Sequence, residues 1–152
     1  MVYNYSETLN PQKALIWRIV HRDNIPWILD NGLHCGSSTH VSPSWVPIGS
    51  NELINKRATH QVPVPPHGCL NDYVPFYFAP RSPMLSAIHN GQVVGCDLRQ
   101  QDIVHLETTV DRVIAGGTPS VFYDRNATLA YSKAYNDVAQ LAQAIAWDLL
   151  TE

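Results

Sequence analysis

The side chains that could bind a metal are spread along the chain rather than grouped. The sequence has seven histidines and three cysteines, and the densest group of both runs from His34 to Cys69. Its spacing matches none of the usual zinc patterns, in which ligands come in close pairs. We therefore expect no metal site. The cysteines, Cys35, Cys69 and Cys96, are odd in number and widely spaced, which favours reduced thiols over a disulfide framework.

Two single residues have side chains suited to binding a sugar or an anion. His21 follows an apolar run, and its ring can both donate and accept hydrogen bonds. Arg57 ends the segment NELINKR, and its planar, permanently charged guanidinium fits a diphosphate or a developing anion. Both residues also have ordinary interpretations, since histidines can end strands and arginines are common on solvated surfaces. From the residues alone, the ordinary interpretations are favoured.

A third chemical feature is the aromatic segment YVPFYFA, which runs from residue 73 to 79. Aromatic rings of this kind can stack on the flat ring of a ligand. If the segment is a strand, alternation places Tyr73 and Tyr77 on one face and Phe76 on the other. We assign Tyr77 to a cleft and Phe76 to the core. Pro75 favours an edge position or the start of a strand.

Short elements must position these residues. The run ALIWRIV, from Ala14 to Val20, is apolar and rich in β-branched residues, which predicts a buried strand. A short helix should follow from Asp23, with a proline in its first turn, and should end at Gly32. The segment from Asn51 to Arg57 resembles one or two helical turns within a long stretch rich in Ser, Gly and Pro.

The second half of the chain continues the mixture of strands and helices. Residues 82–91 predict a helix that starts at Ser-Pro and ends at Asn-Gly. We expect strands at 103–109 and 120–123, joined by a short helix at 110–114, and an amphipathic helix at 137–150. Because this order lacks the regular rhythm of a doubly wound fold, the predicted fold class is α+β.

Composition limits the possible classes of protein. The chain has 152 residues, of which 45% are hydrophobic and 15% charged, so we expect one folded domain over residues 1–152. The net charge of -3 excludes a global positive field, so any contact with nucleic acid must be local. No apolar run approaches the roughly 18 residues that cross a bilayer, and the N-terminus lacks a signal-peptide pattern. We expect a cytoplasmic protein with no membrane partner.

Four segments, in order, resemble the DarT family of DNA ADP-ribosyltransferases. They are IWRIVHRDNIPWILDNGL at 16–33, IGSNELINKR at 48–57, YVPFYFAPRSPML at 73–85, and the strand and helix pattern that follows. Each is weak alone, but four in the right order and spacing are specific. The resemblance implies a mono-ADP-ribosyltransferase fold, in which a split β-sheet holds NAD in a cleft. It also implies transfer of ADP-ribose from NAD to thymine in single-stranded DNA, and a macrodomain antitoxin of the DarG type as partner.

The same resemblance implies how NAD would be bound. His21 matches a histidine of the family's NAD site, where its ring can hydrogen-bond a ribose hydroxyl. The backbone groups of Ile19, Val20 and His21 would meet the nicotinamide amide. Tyr77, together with Tyr73, stands where transferases of this fold stack the nicotinamide ring between aromatic faces.

Arg57 corresponds to the arginine that the family uses in catalysis, and it would also contact NAD. Its charge could make a thymine ring nitrogen nucleophilic by stabilising the thymine anion. Arg81 and Met84 are candidates for contact with DNA, and Arg22 and Lys56 have at most a supporting electrostatic role.

The resemblance further implies a catalytic glutamate that lies well toward the C-terminus of the family's chains. This chain contains Glu7, Glu52, Glu107 and Glu152, and none lies in a matching stretch. Glu107 fits a solvent-facing position in the strand IVHLETT. We therefore expect that the chain is truncated before the catalytic glutamate and that the 152-residue form is inactive.

Two other functions stay open from the sequence. The chain could be a catalytically silent module that keeps the cleft and only recognises NAD or nucleic acid. It could also be a transferase of the same fold that acts on guanine, on RNA ends or on protein.

Overall fold

The computed structural model describes residues 7, 9–49, 51–80 and 99–150. Its first strand, β1 (Leu15–His21), pairs antiparallel with β2 (Ile103–Thr109) over the full length of both strands. Both strands confirm the sequence prediction, and β2 has the predicted bounds, 103–109. Within this pair the Trp17 indole N–H donates to the carboxylate of the exposed Glu107 at 2.7 Å, which adds a side-chain bond to the backbone ladder.

The aromatic segment joins the other edge of β1 at a single point. Trp17 and Tyr77 exchange both backbone hydrogen bonds, at 2.8 and 2.7 Å, and this isolated bridge replaces the strand that the sequence predicted. The prediction of a strand over 73–79 is therefore wrong. Pro75 explains the difference because it has no N–H with which to continue the ladder. Phe78 packs against the core, while Phe76, which we expected in the core, is half-buried.

The helix after β1 forms as the sequence predicts. A single 3-10 turn (Arg22–Asn24) leads into α1 (Ile25–Asn31), and Gly32 ends it with φ of 80°, a conformation that glycine adopts without strain. Asn24 is buried, and its amide donates to the Val46 carbonyl at 2.7 Å and accepts from the Val46 N–H at 2.9 Å. This pair of bonds ties the following loop to the end of β1.

Three further elements surround the strand pair. The helix α2 (Asn51–Thr59) confirms the predicted turn and extends it, and a 3-10 turn (Leu70–Asp72) lies against it. Directly after β2, the helix α3 (Val110–Ala115) starts at a Thr109 side chain that accepts from the Arg112 N–H.

A hairpin of two short strands follows α3. The strand β3 (Phe122–Tyr123) falls within the predicted segment, and it pairs with β4 (Ala134–Tyr135), which the sequence did not predict. The rings of Phe122 and Tyr135 stack with centroids 5.5 Å apart. The described residues thus hold two separate two-stranded sheets with short helices between them, which confirms the α+β class.

The C-terminal segment is not one helix, so the prediction over 137–150 is wrong. A 3-10 turn (Val138–Gln140) runs into α4 (Leu141–Ala144), and α5 (Trp147–Leu150) follows after a break. The break is at Ile145, whose backbone is extended at φ -95° and ψ 133°.

The core joins the start of β1 to this C-terminal segment. Its buried centre is Ala14, Leu141 and Ile145. Five partly buried hydrophobic side chains pack around that centre: Phe78, Val110, Phe122, Trp147 and Leu150.

Some predictions fall on residues that the structure does not describe. The helix over 82–91, the possible DNA contacts Arg81 and Met84, and the thiol Cys96 all lie outside the described residues. Within the described part of the chain, no helix is long and apolar enough to cross a membrane. The same part holds no group of three or more side chains arranged to bind a metal ion.

Candidate active site

Arg57 lies in the last turn of α2 and is half-buried. Its Nη2 donates to the backbone carbonyl of Leu70 at 3.0 Å. Leu70 is itself buried, and its N–H donates to the His60 carbonyl just after α2 at 2.9 Å. The acceptor is therefore held against the same helix, and the Arg57 guanidinium has a defined position.

A second arginine, Arg18, stands in the middle of β1 close to Arg57. Its Nη1 donates to the Pro75 carbonyl at 3.3 Å, and its buried Nε has no hydrogen-bond partner in the part of the chain that the structure describes. Pro75 and Leu70 belong to the same connecting segment, so one stretch of backbone orients both guanidinium groups. A buried donor without an acceptor is costly, so this nitrogen is a candidate donor to a ligand atom.

The two guanidinium groups act on each other electrostatically. Burial lowers the pKa of Arg18, and the charge of Arg57 lowers it further. Burial also lowers the pKa of Arg57, while Tyr77 and Tyr123 oppose that shift. Among the ion pairs of the described residues, none gives Arg18 or Arg57 a carboxylate partner. The pair therefore forms a concentrated positive charge that an anion would stabilise.

Two tyrosines, Tyr77 and Tyr123, lie close enough to interact with this pair, and Tyr73 neighbours Tyr123. Tyr77 is 43% exposed, which fits the predicted position in a cleft. The Tyr73 hydroxyl donates to the His67 carbonyl at 2.6 Å, so that group is already engaged. The Tyr123 hydroxyl is buried without a partner, and burial, then the neighbouring Tyr73, raises the pKa of Tyr123. Tyr123 thus adds a second unsatisfied polar atom beside Arg57.

Among the described residues, the backbone of β1 makes no hydrogen bonds other than those of Trp17 on the edge that carries Tyr77. Because Trp17 exchanges both hydrogen bonds with Tyr77, the N–H and C=O groups of Ile19 and His21 face this same edge. Opposite Ile19 the partner position is Pro75, which offers no N–H. Val20 pairs with β2 instead, so its backbone groups face away from the open edge.

His21 is the last residue of β1 and is buried. Its ring Nδ1 accepts from the Asp23 N–H at 3.0 Å, so His21 caps the turn that begins there. In the neutral ring, a proton acceptor at Nδ1 places the hydrogen on Nε2. The hydrogen bond to Asp23 therefore fixes the ring and makes Nε2–H the donor for a ligand.

The structure brings Arg57 and Tyr77 into one cluster. It does not bring His21 into that cluster by contact, since none of the hydrogen bonds, ion pairs or ring contacts of the described residues joins them. Alternation along β1 sends the side chains of Arg18 and His21 to opposite faces. A shared cleft for His21 and Arg57 stays a prediction.

Sequence reasoning missed Arg18 and Tyr123. A signal for Arg18 was available, because it is the one charged residue in the apolar run ALIWRIV and so had to be buried or at an edge. No comparable signal marked Tyr123, which is an ordinary aromatic residue in a short strand.

Comparison with known proteins identifies the family. The family model described as ssDNA thymidine ADP-ribosyltransferase, DarT, matches residues 17–152. A DNA ADP-ribosyl transferase of Escherichia coli O127:H6 is 53% identical over 150 residues, which are 99% of this chain and 68% of that protein. The chain belongs to the DarT family. A DNA ADP-ribosyl transferase of Thermus sp. 2.9 is 36% identical over 140 residues, which are 92% of this chain and 66% of that protein.

Solved DarT structures share the fold. Thermus sp. 2.9 DarT in complex with ADP-ribosylated ssDNA matches 91% of this chain with a TM-score of 0.84 and 36% identity. The same protein in complex with NAD+ matches 91% of this chain with a TM-score of 0.74 and 34% identity. The α+β ADP-ribosyltransferase fold is thereby confirmed. The chain spans 65% of each of those two Thermus chains.

Proposed function

We propose that this chain supplies the NAD-binding cleft of an enzyme that transfers ADP-ribose from NAD to thymine in single-stranded DNA and releases nicotinamide. The observation that carries the proposal is the pair Arg18 and Arg57, which lacks a carboxylate among the described ion pairs and lies beside the exposed Tyr77. The family supports it, as do the Thermus relatives that hold NAD+ or ADP-ribosylated ssDNA.

The open edge of β1 suits the nicotinamide end of NAD. A carboxamide needs one donor and one acceptor side by side, and the backbone groups of Ile19 and His21 provide both kinds. Val20 is not needed, because its backbone faces β2. The Nε2–H of His21 would donate to a ribose hydroxyl, and Tyr77, with Tyr73 beside it, would pack on the nicotinamide ring.

The transfer breaks one bond and forms another at the same carbon. The bond between nicotinamide and C1 of the ribose breaks, and its electron pair leaves with the nicotinamide. A thymine ring nitrogen attacks that carbon after losing its proton to solvent. Arg57 stabilises the thymine anion, because a fixed guanidinium favours the deprotonated base without giving up its own proton.

The resemblance also supports a setting for this reaction. A toxin that modifies DNA acts in the cytoplasm, and a macrodomain antitoxin of the DarG type would remove the modification. Coexpression with such a macrodomain should relieve the toxicity of the active protein, measured as colony number against a macrodomain variant that does not hydrolyse ADP-ribosyl bonds.

The test compares two proteins. One is the 152-residue chain, and the other is a chimera in which residue 152 is followed by the residues that continue the Escherichia coli relative beyond the match. Each is incubated with NAD and single-stranded oligonucleotides that contain or lack thymine, and the oligonucleotide mass is measured. The chimera should add ADP-ribose only to the thymine oligonucleotide. If the family's catalytic glutamate lies in the added segment, the chain alone should be about a hundred- to a thousandfold slower.

Other results would favour the alternatives. NAD binding without modification by either protein would favour a silent module. Modification of an oligonucleotide that lacks thymine, of an RNA end or of a protein would show that thymine in single-stranded DNA is not the substrate. Equal rates from the two proteins would show that the expectation of a missing glutamate is wrong.

A further inference from the structure

We propose that Asp72 and Ser37 are positioning residues for Arg57. They hold a short turn in the shape that orients the Arg57 guanidinium, and they act through that turn rather than by contact with substrate. This inference rests on the proposed function for the reaction that Arg57 serves. It adds to the site two exposed residues, one in the turn and one in the loop between α1 and α2.

The turn from Leu70 to Asp72 gives Arg57 its hydrogen-bond acceptor. The Leu70 carbonyl accepts from the Arg57 Nη2 at 3.0 Å and from the Tyr73 N–H at 3.1 Å. The Asp72 side chain closes the turn, because its Oδ2 accepts from the Cys69 N–H at 2.8 Å while the Asp72 N–H donates to the Cys69 carbonyl at 2.9 Å. The direction of the Leu70 carbonyl, and with it the place of the guanidinium, therefore depends on the Asp72 carboxylate.

The other oxygen of the same carboxylate binds the loop between α1 and α2. The Ser37 hydroxyl donates to the Asp72 Oδ1 at 2.6 Å, and the Ser37 N–H donates to the Asn71 carbonyl at 3.1 Å. Gly36 lies so close to the turn that a Cβ there would overlap the Asn71 side-chain amide. The bond from the Cys69 N–H, and then the bond from Ser37, lower the pKa of Asp72, so its carboxylate stays ionised at neutral pH. One carboxylate thus ties the loop to the turn.

The exposure of Asp72 and Ser37 favours positioning over a role in stability. Hydrogen bonds between exposed groups replace bonds to water and add little to the free energy of unfolding. An effect of charge alone would also have the opposite sign. Removing the Asp72 carboxylate leaves the protein more positive and so favours an anion, whereas loss of the turn's shape weakens the action of Arg57.

The experiment uses the variants Ser37→Ala, Ser37→Thr and Asp72→Ala, each made in the 152-residue chain and in the chimera. Circular dichroism establishes that each is folded. In the isotope-labelled chain, proton–nitrogen NMR spectra record the guanidinium signals of Arg57, which the Arg57→Lys variant assigns. In the chimera, kcat and the KM for NAD are measured with an oligothymidylate. The matched controls are Ser44→Ala in the same loop and Asp30→Ala on the exposed surface of α1.

The NMR spectra test the orientation of Arg57 without any ligand. The bond to the Leu70 carbonyl slows rotation of the guanidinium, so the parent and Ser37→Thr, which keeps the hydroxyl, should give separate Nη signals. Ser37→Ala and Asp72→Ala should merge these signals, because the turn no longer holds the acceptor in place.

The kinetics test what that orientation does. Both alanine variants should lower kcat by about tenfold to a hundredfold, since a small misplacement of a reacting group costs about that much. The KM for NAD should stay within about threefold of the parent. Ser37→Ala should add little to Asp72→Ala, because both break the same contact. Ser37→Thr, Ser44→Ala and Asp30→Ala should all keep kcat within about twofold of the parent.

Four results would overturn the proposal. The first is merged Arg57 signals in the parent, and the second is separate signals in a folded Asp72→Ala variant. The third is a kcat in Asp72→Ala that equals or exceeds that of the parent, which is the result expected from charge alone. The fourth is unfolding of both alanine variants, since that would show a structural role. A parent chimera that modifies no DNA would contradict the proposed function, while the NMR signals would still decide whether Asp72 and Ser37 position Arg57.

Discussion

At the scale of single residues, the site is defined by positive charge that has no matching carboxylate among the described residues. Burial lowers the pKa of both Arg18 and Arg57, and the charge of Arg57 lowers that of Arg18 further, yet a guanidinium stays protonated at neutral pH. The charge is therefore permanent. A thymine ring nitrogen, which is protonated at neutral pH, becomes nucleophilic most easily beside such a charge.

The role of Arg57 can be separated from NAD binding in the chimera described above. Arg57→Ala should reduce DNA modification by about a hundredfold or more, because the thymine anion loses its stabilising charge. Most NAD affinity and the fold should persist. Arg57→Lys should not restore activity, since lysine keeps the charge but loses the planar fork.

The measurement is paired, with calorimetry for NAD and mass spectrometry for the oligonucleotide. Arg112→Ala, on the exposed surface of α3, is the matched control and should leave both values unchanged. A loss of NAD affinity in proportion to activity would make Arg57 an anchor for NAD and contradict the catalytic role.

The residues of the site were predictable to different degrees. Arg57 and His21 were found only through the family's segments, because neither has a local pattern that separates it from an ordinary surface arginine or strand-end histidine. Tyr77 was found from alternation, although the strand that justified the argument is only a bridge. Whether the Arg18 Nε has a hydrogen-bond partner depends on where the folded chain places the Pro75 carbonyl. The spacing of residue types in the sequence does not predict such a tertiary contact.

At the scale of elements, the hairpin β3–β4 depends on one aspartate. The Asp124 carboxylate accepts from the Lys133 N–H at 2.9 Å and from the Arg125 side chain at 3.1 Å. These two interactions, the Lys133 bond first, lower the pKa of Asp124 below its ordinary 3.8. Since Tyr123 precedes Asp124 directly, the hairpin also positions the hydroxyl beside Arg57.

Asp124→Asn should make the hairpin less stable and less sensitive to acid. A carboxylate whose pKa is lowered by folding stabilises the fold above pH 3.8, and this contribution is lost as the pH falls through the folded value. The melting temperature at neutral pH should drop by about 2–4 °C, and its decline on acidification should be smaller than in the parent.

Melting curves followed by circular dichroism between about pH 7 and pH 2 test this prediction. The control is Asp30→Asn on the exposed surface of α1, which should follow the parent curve. If Asp124→Asn and the parent lose the same stability in acid, the hydrogen bond from Lys133 does not contribute.

Helices and strands could be predicted where the sequence has clear signals for where they start and end. The strand β2 alternates in its centre and follows polar residues, and α1 has both a proline start and a glycine stop. The C-terminal segment shows why periodicity can fail. Leu141 and Ile145 are four residues apart and both buried, which is the spacing of a helix, yet Ile145 is extended and ends α4. Both side chains are apolar because both pack in the core. No residue type near Ile145 predicts that the helix ends there.

At the scale of the whole molecule, the first strand and the last helices share one core. Ala14, at the start of β1, packs with Leu141 and Ile145, and Phe78 from the bridge segment meets Trp147 with ring centroids 5.5 Å apart. The strand that carries Arg18 is therefore held in place by the C-terminal segment. Contacts between residues so distant in sequence close large loops, which costs chain entropy. The few buried side chains that make these contacts must offset that cost, so the fold depends on them.

Leu141 provides the sharpest test of this arrangement. It is 4% exposed, so Leu141→Ala should remove buried apolar area, leave a cavity and lower the free energy of unfolding by about 2–5 kcal/mol. The matched control is Leu149→Ala, which truncates the same side chain in α5 at a position 68% exposed and should change stability by less than about 0.5 kcal/mol. Urea unfolding followed by circular dichroism measures both. A stability change for Leu141→Ala as small as that of the control would mean that the C-terminal segment does not pack on β1.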